Sequence, residues 1–103
     1  MTDAIKERYR RIRGAILKLL AHEHPGTIDV KVLHILLDDL GYTIAEEELY
    51  SHLVYLAEKD CVKVEKRESS GVKIQMAVIT AEGLDVLDGF DPDKPTGGID
   101  TRF

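Results

Sequence analysis

The stretch Leu49-Tyr50-Ser51-His52-Leu53-Val54-Tyr55-Leu56-Ala57-Glu58-Lys59-Asp60-Cys61-Val62, with the residues that follow it to Leu87, decides the fold. Leu49, Leu53 and Leu56 recur at three- and four-residue steps and give a helix one apolar edge. At Val62 the period changes to two. Val62, Val64 and Lys66 alternate with Lys63, Glu65 and Arg67; Val72, Ile74, Met76 and Val78 alternate with Lys73, Gln75 and Ala77. Glu68-Ser69-Ser70-Gly71 between the two runs has turn chemistry, so they predict an antiparallel ribbon. A ribbon this small needs helices to pack on. Thr80 can cap a short last helix, Ala81 to Leu87, whose Leu84 and Leu87 turn back to the core.

Upstream, Ile5, Tyr9, Ile12, Ile16, Leu19 and Leu20 form an apolar stripe on a first helix from about Ala4 to Glu23, with Arg8, Arg11 and Lys18 on its polar side. Pro25-Gly26 ends it, and Thr27-Ile28-Asp29 reads as a short extended link. A second helix, about Val30 to Leu40, is expected to bury Val32, Leu33, Leu36, Leu37 and Leu40 before a Gly41 cap. Thr43 is the expected N-cap of the third helix, with Glu46 completing a capping box and the helix running to about Lys59. Two helices joined by a tight turn make a helix-turn-helix unit. Asp60 follows at a position where positive φ is expected, which Asp tolerates better than most residues.

The order helix, helix, helix, strand, wing, strand, helix resembles the winged helix-turn-helix superfamily over about residues 5–88. The resemblance implies an α+β domain of three helices, a two-stranded wing and a short C-terminal helix. Tyr50 to Val62 resembles the recognition helix of ArsR- and MarR-like repressors, with Asp60 where their pattern has Gly. Thr80-x-x-Gly83-x-x-x-Leu87 is similar to the signature that follows the wing in many members. The basic first helix, Leu56-Ala57-Glu58-Lys59, the short wing and Gly83-Leu84-Asp85-Val86 look closest to small winged-helix proteins of Mu-like phages and prophages. The domain is expected over residues 1–89. The Pro/Gly-containing stretch 90–103 is expected to be flexible or extended.

Composition fits a cytoplasmic globular protein. A hydrophobic content of 44% and a charged content of 32% suit one modest core in 103 residues. No apolar run is long enough for a membrane span, and the N-terminus lacks the basic-then-apolar pattern of a signal peptide. The single Cys61 excludes an internal disulfide and is expected to be a buried apolar residue. The net charge of −5 is uneven, because residues 1–18 hold Lys6, Arg8, Arg10, Arg11, Arg13 and Lys18 against only Asp3 and Glu7.

In the fold that the resemblance implies, the third helix enters the major groove of double-stranded DNA and the wing touches phosphate. The contacts expected here are Thr43, Tyr50 and Ser51 in the groove and Lys66, Arg67 and Lys73 on phosphate. The expected exposed positions of the helix are Thr43, Glu46, Glu47, Tyr50, Ser51 and Val54. Glu46, Glu47 and Glu48 oppose DNA binding by charge, yet they also suit the positive end of the helix dipole. The expected role is a DNA-binding transcriptional regulator, acting as a homodimer through its first and last helices. The alternative is an adaptor that turns the same face, with Tyr9, Tyr42, Tyr50 or Tyr55 as anchors, to another protein. Neither the paired cysteines nor the Asp/His sets of ArsR-like metal sensors are present, so no metal or other cofactor is expected. No nucleophile–base pair or phosphate loop points to an enzyme.

Overall fold

The computed structural model describes residues 3–89 and 98–101. It contains α1 (Asp3–Glu23), β1 (Ile28–Asp29), α2 (Val30–Asp39), α3 (Glu46–Glu58), β2 (Val62–Ser69), β3 (Val72–Ile79) and α4 (Ala81–Asp88). Among the described residues, no helix is long and apolar enough to cross a membrane.

The core lies where the three long helices meet one end of the sheet. Ile12, Ile16, Leu17 and Leu20 of α1 pack with Leu33 and Leu37 of α2 and with Leu49, Leu53 and Leu56 of α3. Val62, Ala77 and Ile79 close it from the base of the ribbon. The buried α1 residues start at Ile12, so Ile5 stands exposed, contrary to the stripe expected from periodicity. Spacing marks a face of a helix, but only a neighbouring element makes that face a core.

The sheet has the order β1-β3-β2 and is antiparallel throughout. The extended link at Ile28–Asp29 pairs with Ala77 and Met76 and forms its third strand. β2 and β3 pair from Val62–Ile79 out to Ser69–Val72. The Ser70-Gly71 turn between them has φ of 51° and 79°. Two positive φ values suit the right-handed twist of a hairpin.

Two expectations for the helix-turn-helix need correction. Val32 and Leu40 are exposed; α2 buries Val30, Leu33 and Leu37, with Leu36 only partly covered. Thr43 does not cap α3. The cap position is Ala45, without a side-chain hydrogen bond, and Thr43 Oγ1 donates instead to Asp38 Oδ1 at 2.6 Å. Ile44 is buried just ahead of the helix, Ala45 at the cap is extended, and the helix begins at Glu46. The turn is fixed in another way. Gly41 N–H bonds Asp38 O and Tyr42 N–H bonds Leu37 O, both at 2.9 Å, which satisfies two carbonyls at the end of α2. His34 Nε2–H donates to Ile44 O at 2.6 Å.

The stretch 90–103 is described only at residues 98–101, and these lie on α1. Ile99 and Asp100 are buried, and Asp100 N–H donates to Arg10 O at 2.9 Å. The Asp100 carbonyl rests where Gly14 has no Cβ, and any side chain at Gly14 would collide with it. Gly14→Ala should therefore lift this segment from α1. Hydrogen exchange should show protection lost at the Asp100 amide while the core amides keep theirs. Unchanged protection there would mean that the segment is not held at Gly14.

Candidate nucleic-acid interface

All six positions expected on the outer face of α3 and the turn before it are exposed: Thr43, Glu46, Glu47, Tyr50, Ser51 and Val54. Their neighbours divide them. Ser51 Oγ–H donates to Glu47 O at 3.0 Å, one turn back, which leaves its lone pairs to face outward. Tyr50 reaches across to the ribbon, where its hydroxyl donates to Gln75 Oε1. That bond ties the middle of α3 to β3 and makes one wall of a cleft.

The cleft has a volume of about 630 Å³. Its cations are Lys31, Lys66, Arg67 and Lys73, against the carboxylates of Asp29 and Glu68. Asp29 is already engaged as the cap of α2, accepting from Lys31 N–H at 2.8 Å. The structure thus gathers Tyr50, Lys66, Arg67 and Lys73 at one place, while Thr43 and Ser51 lie outside the lining. The strand register separates the basic residues further. Lys66 pairs with Gln75, the partner of Tyr50, and Glu68 pairs with Lys73, so Lys66 and Lys73 share the face that Tyr50 touches. Arg67, opposite Ile74, falls on the other face and bonds Glu65 Oε2 at 3.2 Å.

Lys31 and Gln75 were not legible as site residues. Lys31 belongs to the first helix of the helix-turn-helix and reaches the cleft only because β1 sets the start of α2 beside β3. The signal for Gln75 was its position opposite Lys66, which required the register.

Arg10 and Arg11 both face Glu7, at 3.1 and 3.9 Å. Arg13 turns inward over the Tyr55 ring, at 3.8 Å from its centroid, and donates to His52 Nδ1 and to Gly98 O, both at 3.1 Å. Arginine only donates, so Nδ1 is the acceptor and Nε2 carries the ring proton. Nε2 in turn meets Glu48 Oε2 at 3.0 Å. One of the three glutamates at the start of α3 is therefore part of an internal network and not of the outer face. Tyr9 packs edge-on against the His52 ring at 5.2 Å. Tyr42 lies under Arg8, so Tyr50 alone of the four tyrosines has its hydroxyl on the cleft.

Burial lowers the Arg13 pKa, against the pull of Tyr55 and Tyr9. Burial likewise is the largest influence on His52 and pushes its pKa below the usual histidine value. The hydrogen bond to Glu48 opposes that shift, the Arg13 charge adds to it, and the Glu48 charge opposes it. Cys61 is buried with its thiol near Lys59 O at 3.6 Å; burial first, then Glu82 and Asp60, push its pKa up. It is a packing residue, as expected, with little thiolate character.

Three helices, a helix-turn-helix turn, a hairpin and a closing helix define a winged-helix fold, and solved structures share it. A protein of Thermoplasma acidophilum proposed as a transcriptional regulator superposes with a TM-score of 0.63 at 21% identity, over 79% of this chain and 75% of its own. A PadR family transcriptional regulator from Eggerthella lenta gives 0.60 at 21%, over 73% and 66%. A transcriptional regulator from Clostridium thermocellum gives 0.58 at 26%, over 84% and 80%. No family profile and no curated protein matches the sequence.

The network behind α3 sets a pH dependence. Because the native fold holds the His52 ring neutral, its contribution to stability is complete above the unfolded-state pKa of about 6.5. It is lost as pH falls below that value toward the lowered native one. Denaturant titrations across this window should show the unfolding free energy falling with pH, by at most about 1.4 kcal/mol per unit for one proton. His52→Gln should flatten the slope. A slope that the substitution leaves intact would assign it to other groups.

Proposed function

We propose that the protein is a DNA-binding transcriptional regulator that holds double-stranded DNA chiefly by its phosphates. The observation that carries this reading is the basic cleft: Lys66 and Lys73 on one face of the ribbon, with Lys31 at its edge and Tyr50 locked to Gln75 beside them. A local cluster of cations can bind a polyanion on a chain whose net charge is −5, because the footprint decides and not the total. From Glu46 to Glu58, α3 contains no Arg, Lys, Asn or Gln, the side chains that most often read bases in the major groove. Affinity then comes from phosphate contacts, and base reading falls to Tyr50, Ser51 and Val54. Thr43, tied to Asp38, contributes by fixing the turn. The likeness to solved regulators supports the fold, and function by fold alone is analogy.

The setting we propose is the cytoplasm, with the protein acting as a homodimer. A phage or prophage origin rests on the resemblance carried by the basic first helix, Leu56 to Lys59, the short wing, Gly83 to Val86 and the Pro/Gly-containing tail. An adaptor reading draws on one observation: Val54, at 56% exposure, puts an apolar side chain on the same face as Glu46 and Glu47.

Fluorescence anisotropy with a mixed-sequence duplex at several salt concentrations separates the two. Binding should weaken steeply with salt, and Lys66→Ala or Lys73→Ala should each lower the log–log slope by about 1. Arg67→Ala should change it less. Absence of binding at low salt would remove DNA as the ligand and leave the adaptor reading.

A further inference from the structure

The segment 98–101 returns to the body of the fold and is held there in two ways. Ile99 is buried in the core cluster, and Asp100 N–H donates to Arg10 O beside Gly14. The other hold is Arg13, whose Nη1 donates to Gly98 O while its Nε donates to His52 Nδ1, both at 3.1 Å. A guanidinium is a planar, rigid fork, so these two bonds are made or lost together. It also lies over the Tyr55 ring, and Gly98 passes so close to the Tyr55 hydroxyl that a Cβ would collide with it. Arg13, Tyr55 and Gly98 thus form one packed unit, with the His52 ring as its inner anchor.

That anchor can change from acceptor to donor near neutral pH. His52 Nε2 already directs its proton to Glu48 Oε2, at 3.0 Å. A second proton must therefore go to Nδ1, the atom that accepts from Arg13. Two donors of like charge would then face each other at the distance of one hydrogen bond, and Arg13 cannot give up its own proton. Glu48 bonds the charged ring from its far side, so Arg13 is the side chain that turns away, and its bond to Gly98 goes with it.

We infer that residues 98–101 are a strap that protonation of His52 releases from α1 and α3. The charged and titratable groups around the ring are Tyr9 and Arg13 from α1 and Glu48 from its own helix. Behind Arg13 stand Tyr55 and Lys59, and the segment itself carries Asp100. With the segment seated, burial first, and the Arg13 charge with it, hold the His52 pKa below the usual value, against the bond and charge of Glu48. Lifting the segment frees the ring from Arg13 and lets that pKa rise. Seating is therefore favoured most above the ordinary histidine value of about 6.5 and is lost as pH falls below it. For one proton the seating constant falls by at most about tenfold per pH unit.

The test follows the amide signals of the full chain, without DNA, by NMR from about pH 7.5 down to about pH 5. Those of Gly98 to Thr101 should move from seated to free positions in step with the His52 ring signal, while core amides such as Leu33 and Leu37 hold theirs. His52→Asn sets an amide oxygen at the place of Nδ1 and takes up no proton in this range, so its segment should stay seated throughout. The coupling must also run the other way. Gly14→Ala, which lifts the segment by collision at the Asp100 carbonyl and not through Arg13, should raise the His52 pKa. A parent segment that stays seated while His52 titrates overturns the strap. So does a release that persists in His52→Asn, which would assign it to Glu48, Asp100 or another group. A His52 pKa that stays in place although Gly14→Ala has lifted the segment overturns the coupling. Each result holds whether or not the chain binds DNA.

Discussion

The cleft depends on where the wing stands relative to α3, and a joint of very few atoms sets that relation. At the end of α3 the chain turns through Asp60, whose φ of 60° is the positive value expected for it. Cys61 N–H then bonds Leu56 O at 2.9 Å, so the start of β2 is fixed to the last turn of the helix. From the other side Thr80 N–H bonds Cys61 O at 3.0 Å, and Thr80 Oγ1 donates to Asp60 O at 2.5 Å. The same oxygen accepts from Gly83 N–H at 3.1 Å and so caps α4. Gly83 lies against the Cys61 carbonyl, closer than any Cβ would allow. Each bond adds only about 0.5–1.5 kcal/mol, but together they leave the hairpin one direction in which to project. Tyr50 and Gln75 then find each other because the joint has already set the distance.

This joint also explains how much of the fold could be read in advance. Thr80-x-x-Gly83 and the change of period at Val62 are local signals, and both belong to the joint itself, so the order of elements followed from them. The positive φ at Asp60 was legible for the same reason. The faces of α2 were not. With Val30, Val32, Leu33, Ile35, Leu36 and Leu37 in one helix, more than one stripe fits the helical period, and only the positions of α1 and the sheet choose between them. The capping box at Thr43 failed because the Thr43 hydroxyl bonds Asp38 instead, and the helix starts beyond the buried Ile44.

The site was legible in kind and not in arrangement. Basic residues around the wing were apparent, yet which of them share a face depends on register, and a shift by one residue would exchange Lys66 for Arg67. The network beneath α3 was half visible. Glu48 and His52 stand four apart on one helix, a spacing that brings side chains together. Their third member, Arg13, is 39 residues from His52, and nothing in its neighbourhood distinguishes it from Arg10 or Arg11. Long-range polar contacts of this sort leave no periodic trace.

That network changes the electrostatic balance at the proposed interface. Three adjacent glutamates at the N-terminus of α3 look like a barrier to DNA, and counting them as equals overstates it. Glu48 is turned inward to His52, and the inward turn of Arg13 completes the same arrangement. Glu46 and Glu47 remain outside, at the end of the helix where the dipole favours carboxylates. The cations that oppose them sit on another element, the ribbon, and are brought beside Tyr50 by the joint. In the proposed complex, repulsion from the helix end and attraction to the ribbon would act on different parts of the duplex. Screening over roughly 8 Å at physiological salt keeps them partly independent. A duplex held in this way would be gripped chiefly by the ribbon, with Glu46 and Glu47 penalising any duplex that approaches the helix end too closely.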